Sequence, residues 1–192
     1  MLIYLHGFRS GPQSQKALSL QQRMDALGIG DQLWAGQLEW GPARTIAQLE
    51  QIIAASATPP TLIGSSLGGF YATALAERHG LRAVLVNPAI APHRLLTQWL
   101  GRQTQIYTGA SFEVVPAQLE ELRSLQVEHF ADASRYWLLA ETGDEVLDYR
   151  EAVAYFAGAR QTVLTGGDHR FTQWEAYLDA IIAFAGLSPR AR

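Results

Sequence analysis

The chain has 192 residues, 48% of them hydrophobic and 17% charged, with 15 basic against 18 acidic side chains and a formal net charge of −3. A chain of this length can bury about 70% of its unfolded surface around one core, so it needs no covalent staple. The absence of cysteine agrees, and it also excludes thiolate metal sites, a thiol nucleophile and CxxC redox chemistry. A pI near 5.9 leaves no basic footprint for nucleic acid or anionic lipid, and a mean hydropathy of −0.02 argues against disorder. Lys16 is the only lysine, and its position suits neither a Schiff base nor a P-loop.

The first residues, Met1 to Gly7, lack a basic leader, and the most apolar later stretch, Ala180 to Leu187, is far below the roughly 18 residues of a membrane span. A cytoplasmic protein without a membrane span is expected. Leu2 to Leu5 is a short apolar run ending in His-Gly, which suits a buried strand. Ser14 offers an N-cap to a helix whose apolar positions are Ala17, Leu20, Met24 and Leu27, stopped by Gly28. A weak strand is expected near Gln32 to Ala35, and Thr45 to Ala55 is again helical in period. Pro59-Pro60 ends that helix, and Thr61 to Gly64 has the look of a buried strand. Leu67 to Arg78 then predicts a helix and Ala83 to Val86 a strand.

The rhythm breaks between Val86 and Tyr136, where 49 residues (136 − 86 − 1) carry Pro88, Pro92 and Pro116, with helices expected at Arg94 to Leu100 and Pro116 to Leu125. An insertion this long in a compact domain is usually a lid or binding loop, so residues 88–134 are expected to form a cap. Tyr136 to Ala140 and Gln161 to Leu164 add two strands, and Thr172 to Ala185 closes as a helix. Near-continuous apolar strands alternating with helices predict an α/β fold, with one mostly parallel sheet covered on both faces. No linker divides the chain, so residues 1–192 are expected to form a single domain.

Gly64-Ser65-Ser66-Leu67-Gly68-Gly69 reads as G-x-S-x-G between a predicted strand and a predicted helix. In such a turn the serine is strained and exposed, and the flanking glycines let the backbone pass where a Cβ would clash. The helix N-terminus behind it favours developing negative charge. No Lys-Ser or Lys-Thr follows, which disfavours a phosphate cradle. A serine needs a base, and the base an orienting acid. Gly166-Gly167-Asp168-His169 puts an imidazole on a glycine-rich loop after the last strand. Asp144, in the turn after Tyr136 to Ala140, is the expected acid, with Asp148 the alternative, while Asp168 is expected to cap its own loop. His6-Gly7-Phe8 ends the first strand, so that the Phe8 and Leu67 amides could form an oxyanion hole, with His6 fixing the loop.

These four segments resemble the α/β-hydrolase superfamily. The short chain, its start directly on the His-Gly strand, Asn87-Pro88-Ala89, and Tyr107-Thr108-Gly109 to Phe112 are similar to the small bacterial YqiA-type esterases. The resemblance spans the whole chain. It implies a compact α/β-hydrolase fold of about six strands that lacks the two usual strands before His-Gly. It also implies a Ser66-Asp144-His169 triad, an oxyanion hole from Phe8 and Leu67, and hydrolysis of carboxylic esters without metal or cofactor. Trp40 and Phe70 are candidates for an acyl pocket. The expected substrate is a small-molecule ester of a short-to-medium acyl chain. An acyl-CoA thioester, held by Arg9, Arg94 or Arg102, is one alternative, and a non-catalytic hydrolase-fold binding protein is another.

Overall fold

The computed structural model describes residues 1–190. In chain order it contains β1 (Leu2–Leu5), α1 (Gln15–Ala26), β2 (Leu33–Trp34), α2 (Pro42–Ala55), β3 (Thr61–Ser65), α3 (Leu67–His79), β4 (Arg82–Val86) and α4 (Pro92–Leu95). There follow β5 (Gly101–Thr104), β6 (Ser111–Val114), α5 (Pro116–Ser124), β7 (Tyr136–Glu141), α6 (Tyr149–Tyr155), β8 (Arg160–Leu164) and α7 (Trp174–Phe184).

Six strands form one sheet in the order β2-β1-β3-β4-β7-β8, every neighbouring pair parallel. Period-two alternation sorts the strand residues between two apolar layers. Ile3, Leu5, Leu62, Leu85 and Leu138 face α2 and α3, while Leu2, Tyr4, Ile63, Val84 and Leu139 face α1 and α7. Both sets are buried, which is why these strands read as continuous apolar runs. Because all six strands run the same way, the segments after β1, β3, β4, β7 and β8 emerge at one edge of the sheet. That edge, near the point where the strand order reverses around β1, is where α/β folds place their sites.

Several boundaries depart from the expectations. β2 is only two residues long, and α2 begins earlier, at Pro42, because Gly41 with φ 93° turns the chain into it. The helix expected at Arg94 to Leu100 is α4 plus a 3-10 turn over Leu96–Trp99. The insertion is also not purely helical: β5 and β6 pair as an antiparallel hairpin, Gly101 opposite Val114. Its strands, GRQT and SFEV, are four residues each with half of their positions exposed, and the only apolar alternation is Phe112 and Val114, too short to mark a strand. The unanticipated α6 is seven residues long and starts where Asp148 caps the Arg150 amide.

Candidate active site

Ser66 stands between β3 and α3 with φ 56° and ψ −121°, a conformation that L residues rarely adopt. The surroundings hold it there: its amide donates to Val86 O, and its carbonyl accepts from Gly69 N and Ala89 N. The glycines answer to steric need. A Cβ on Gly64 would lie 2.6 Å from Gly69 Cα, and one on Gly68 would lie 2.6 Å from Leu5 C and 2.7 Å from His6 O.

Ser66 Oγ lies 3.0 Å from His169 Nε2, and His169 Nδ1 lies 2.8 Å from Asp144 Oδ2. With its proton on Nδ1, the imidazole donates to Asp144 and can accept from the serine hydroxyl. The Asp144 side chain is almost completely buried, and its Oδ1 also accepts from Val146 N and Leu147 N. The structure thus brings together three residues from three separate loops. Asp148 is occupied at the N-terminus of α6, and the Asp168 carboxylate bonds Arg170, whose guanidinium holds its carboxyl below the usual range.

Gly7 passes close to Ser66, where a Cβ would lie 3.2 Å from Ser66 Cβ. Gly7, Phe8 and Leu67 line one cavity together. His6 fixes the same turn, its Nδ1–H donating to Gly7 O and its Nε2 accepting from Leu38 N. Burial pushes His6 below its ordinary pKa, in keeping with a neutral ring.

Two spaces lie near the turn that carries Ser66, and Ser66 itself lines the second of them. One is a narrow slot of about 60 Å³ walled by Phe8, Trp40, Tyr71, Leu96, Phe112 and Leu122. Trp40 and Phe112 stack there with ring centroids 4.2 Å apart, so the insertion contributes to the wall. The other is an open cleft of about 680 Å³ that includes Ser66, His169, Lys16, Tyr107 and Gln173. Phe70 differs from the expectation. It is 4% exposed and packs edge-on against Tyr71 in the core, because α3 is buried on all sides from Gly68 to Ala76. Of the three arginines considered for a CoA group, Arg9 lines the slot, Arg94 lies in cavities away from Ser66, and Arg102 bonds Ser111 on the hairpin. Among the described residues no cluster of three or more His, Asp or Glu has the arrangement of a metal cage, and no helix is long and apolar enough to cross a membrane.

Two residues to which the sequence assigned no role hold the histidine loop. Glu141, fully buried, accepts four hydrogen bonds, from Asp168 N, Thr172 N, Thr172 Oγ1 and Gln173 N. Asn87 donates from Nδ2 to Asp168 O and His169 O, and its Oδ1 accepts from Glu141 N. Glu141 is therefore a positioning residue for His169. Glu141→Ala leaves four donors without an acceptor and is expected to cost about 3 kcal/mol of stability. It should also lower kcat about 100-fold, with KM changed less than about twofold. Glu141→Gln keeps one acceptor oxygen and should recover much of the kcat. Equal loss in KM and kcat, or no rescue by glutamine, would contradict a positioning role.

Comparison with known proteins agrees with this architecture. The sequence model of an uncharacterised protein family, UPF0227, matches residues 1–186. A putative hydrolase from Agrobacterium vitis S4 is 20% identical, with a TM-score of 0.69 over 96% of this chain and 87% of that one. Est1E from Butyrivibrio proteoclasticus with ferulic acid bound is 14% identical, with a TM-score of 0.70 over 95% and 86%. A monoacylglycerol lipase from Paleococcus ferrophilus is 15% identical, with a TM-score of 0.69 over 96% and 93%. At these identities the structural likeness concerns the fold, which is that of the α/β-hydrolases.

Proposed function

The chain belongs to the UPF0227 family, and from that premise and the site geometry we propose that it is a serine esterase acting on small carboxylic esters. The observation that carries this reading is the continuous relay from Ser66 Oγ through His169 to the buried Asp144 carboxylate. Ser66 Oγ attacks the acyl carbonyl while its proton passes to His169 Nε2, and Asp144 stabilises the resulting imidazolium. The carbonyl oxygen becomes an oxyanion held by the Phe8 and Leu67 amides. Collapse of the tetrahedral intermediate breaks the bond to the alcohol oxygen, which takes the proton from His169. Water then enters by the same route, giving up a proton to His169, and releases the acid and the free serine.

The narrow aromatic slot suits a short-to-medium acyl chain, with Trp40 as a wall. Residues 88–134 act as a cap, supplying Leu96, Phe112 and Leu122 to that slot and Tyr107 to the cleft. The test is intact mass after treatment with an alkyl organophosphonate, together with turnover of short p-nitrophenyl esters. The expected result is a single adduct that is absent in Ser66→Ala, accompanied by ester turnover. Folded protein with neither adduct nor turnover would overturn the reading in favour of a binding protein.

A further inference from the structure

Resting on that esterase reading, we propose that Lys16 selects the leaving group, and that the substrate carries an anionic group, carboxylate or phosphate, on its alcohol or thiol portion. The orientation follows from the proton transfer. The departing atom must face His169 Nε2 to be protonated, and His169 lines the wide cleft rather than the aromatic slot. The acyl chain therefore occupies the slot and the leaving group the cleft.

Lys16, half-buried near the start of α1, lines that same cleft together with Ser66 and His169. An ammonium group carries three N–H donors. One donates to Arg170 O at 2.5 Å, and among the described residues no carboxylate forms an ion pair with it. The nearby carboxylates are already committed. Asp168 pairs with Arg170, Glu141 accepts its four bonds, and Asp144 is taken up by His169 and two amides. The first turn of α1 contains no acidic residue, so its amide dipoles add positive potential beside the ammonium. Ser10 and Tyr107, each with a hydroxyl able to complete the coordination of an oxyanion, line the same cleft.

Burial pushes the Lys16 ammonium down to about 8, opposed by the negative charges of Asp168, Glu141 and Asp144 and reinforced by Arg170. Tyr4, Tyr107, His169, Arg170 and Glu175 are the other titratable groups lining the cleft. Lys16 is thus charged at neutral pH and loses its charge as pH rises through about 8. Preference for an anionic substrate should be present below that pH and fade above it.

The test compares 4-acetoxybenzoate with its methyl ester, which share acyl group and phenolic leaving atom but differ by one negative charge. The wild type is expected to favour the anionic ester in kcat/KM by about tenfold at pH 7, and the ratio should fall towards pH 9.5. Lys16→Met should collapse the ratio, whatever it costs both esters through the tie to Arg170, and Lys16→Arg should keep part of it. A wild type without preference, or a Lys16→Met variant that loses equally on both esters, overturns the proposal while leaving the esterase reading intact. Failure of both esters together with absence of a phosphonate adduct on Ser66 overturns the two readings at once.

Discussion

Ser66→Ala is expected to lower ester turnover by about 10⁴-fold or more, and His169→Ala by a similar factor. The double variant should be scarcely slower than either single one. The reason is geometric: with the imidazole removed the hydroxyl has no acceptor for its proton, and with the hydroxyl removed the imidazole has nothing to activate. The activity that remains would come from the Phe8 and Leu67 amides and from the walls of the slot, which neither substitution touches. Pre-steady-state release of p-nitrophenol distinguishes acylation from deacylation in His169→Ala, which keeps the serine hydroxyl. Losses that multiply in the double variant would mean that the two groups act independently, and the relay would have to be abandoned.

Gly68→Ala is expected to be the most damaging single-methyl substitution at the site, lowering stability by about 4 kcal/mol or more. The new Cβ would meet the backbone of Leu5 and His6, which cannot rotate aside as a side chain could. Either α3 retreats from β1 or the turn carrying Phe8 moves, and both outcomes separate Ser66 from its expected oxyanion donors. Gly109→Ala supplies the contrast. Nothing lies within 4 Å of its Cβ, so only the strain of φ 72° remains, about 1 kcal/mol. Urea unfolding of the two variants reads the difference directly, and similar midpoints would show that α3 packs less closely on β1 than described.

The sequence is most legible where a local pattern carries a local constraint. Gly64, Gly68 and Gly69 surround Ser66 because the turn needs glycine within four residues, so the motif and its steric cause lie together in the chain. Glu141 and Asn87 are different. Each is a single polar residue ending an apolar strand, and what it does depends on partners 27 to 32 or 81 to 82 positions away. The clearest hint in the sequence was a carboxylate closing a run otherwise destined for the core. Phe70 is hard to place from sequence for a related reason, since a helix buried all round gives no periodic clue to which side faces a cavity. The hairpin of β5 and β6 is hard to read from the sequence because its strands are four residues each, with apolar burial confined to Phe112 and Val114 and the rest held by pairing and by the turn at Arg9.

β8, which leads into the histidine loop, is the last strand of the sheet and, among the described residues, has β7 as its only strand neighbour. An outermost strand is held from one side, so its detachment costs less than disruption of the central strands that carry Ser66. The bonds from Glu141 and Asn87 are then the clasp that keeps a removable margin fastened. Thermal or chemical stress would release the base before it dissolves the core, so catalytic competence would be lost while the spectroscopic signature of the folded chain persists. Inactivation would in that case report the opening of one border of the molecule, and recovery on cooling would be rapid because most of the scaffold never came apart.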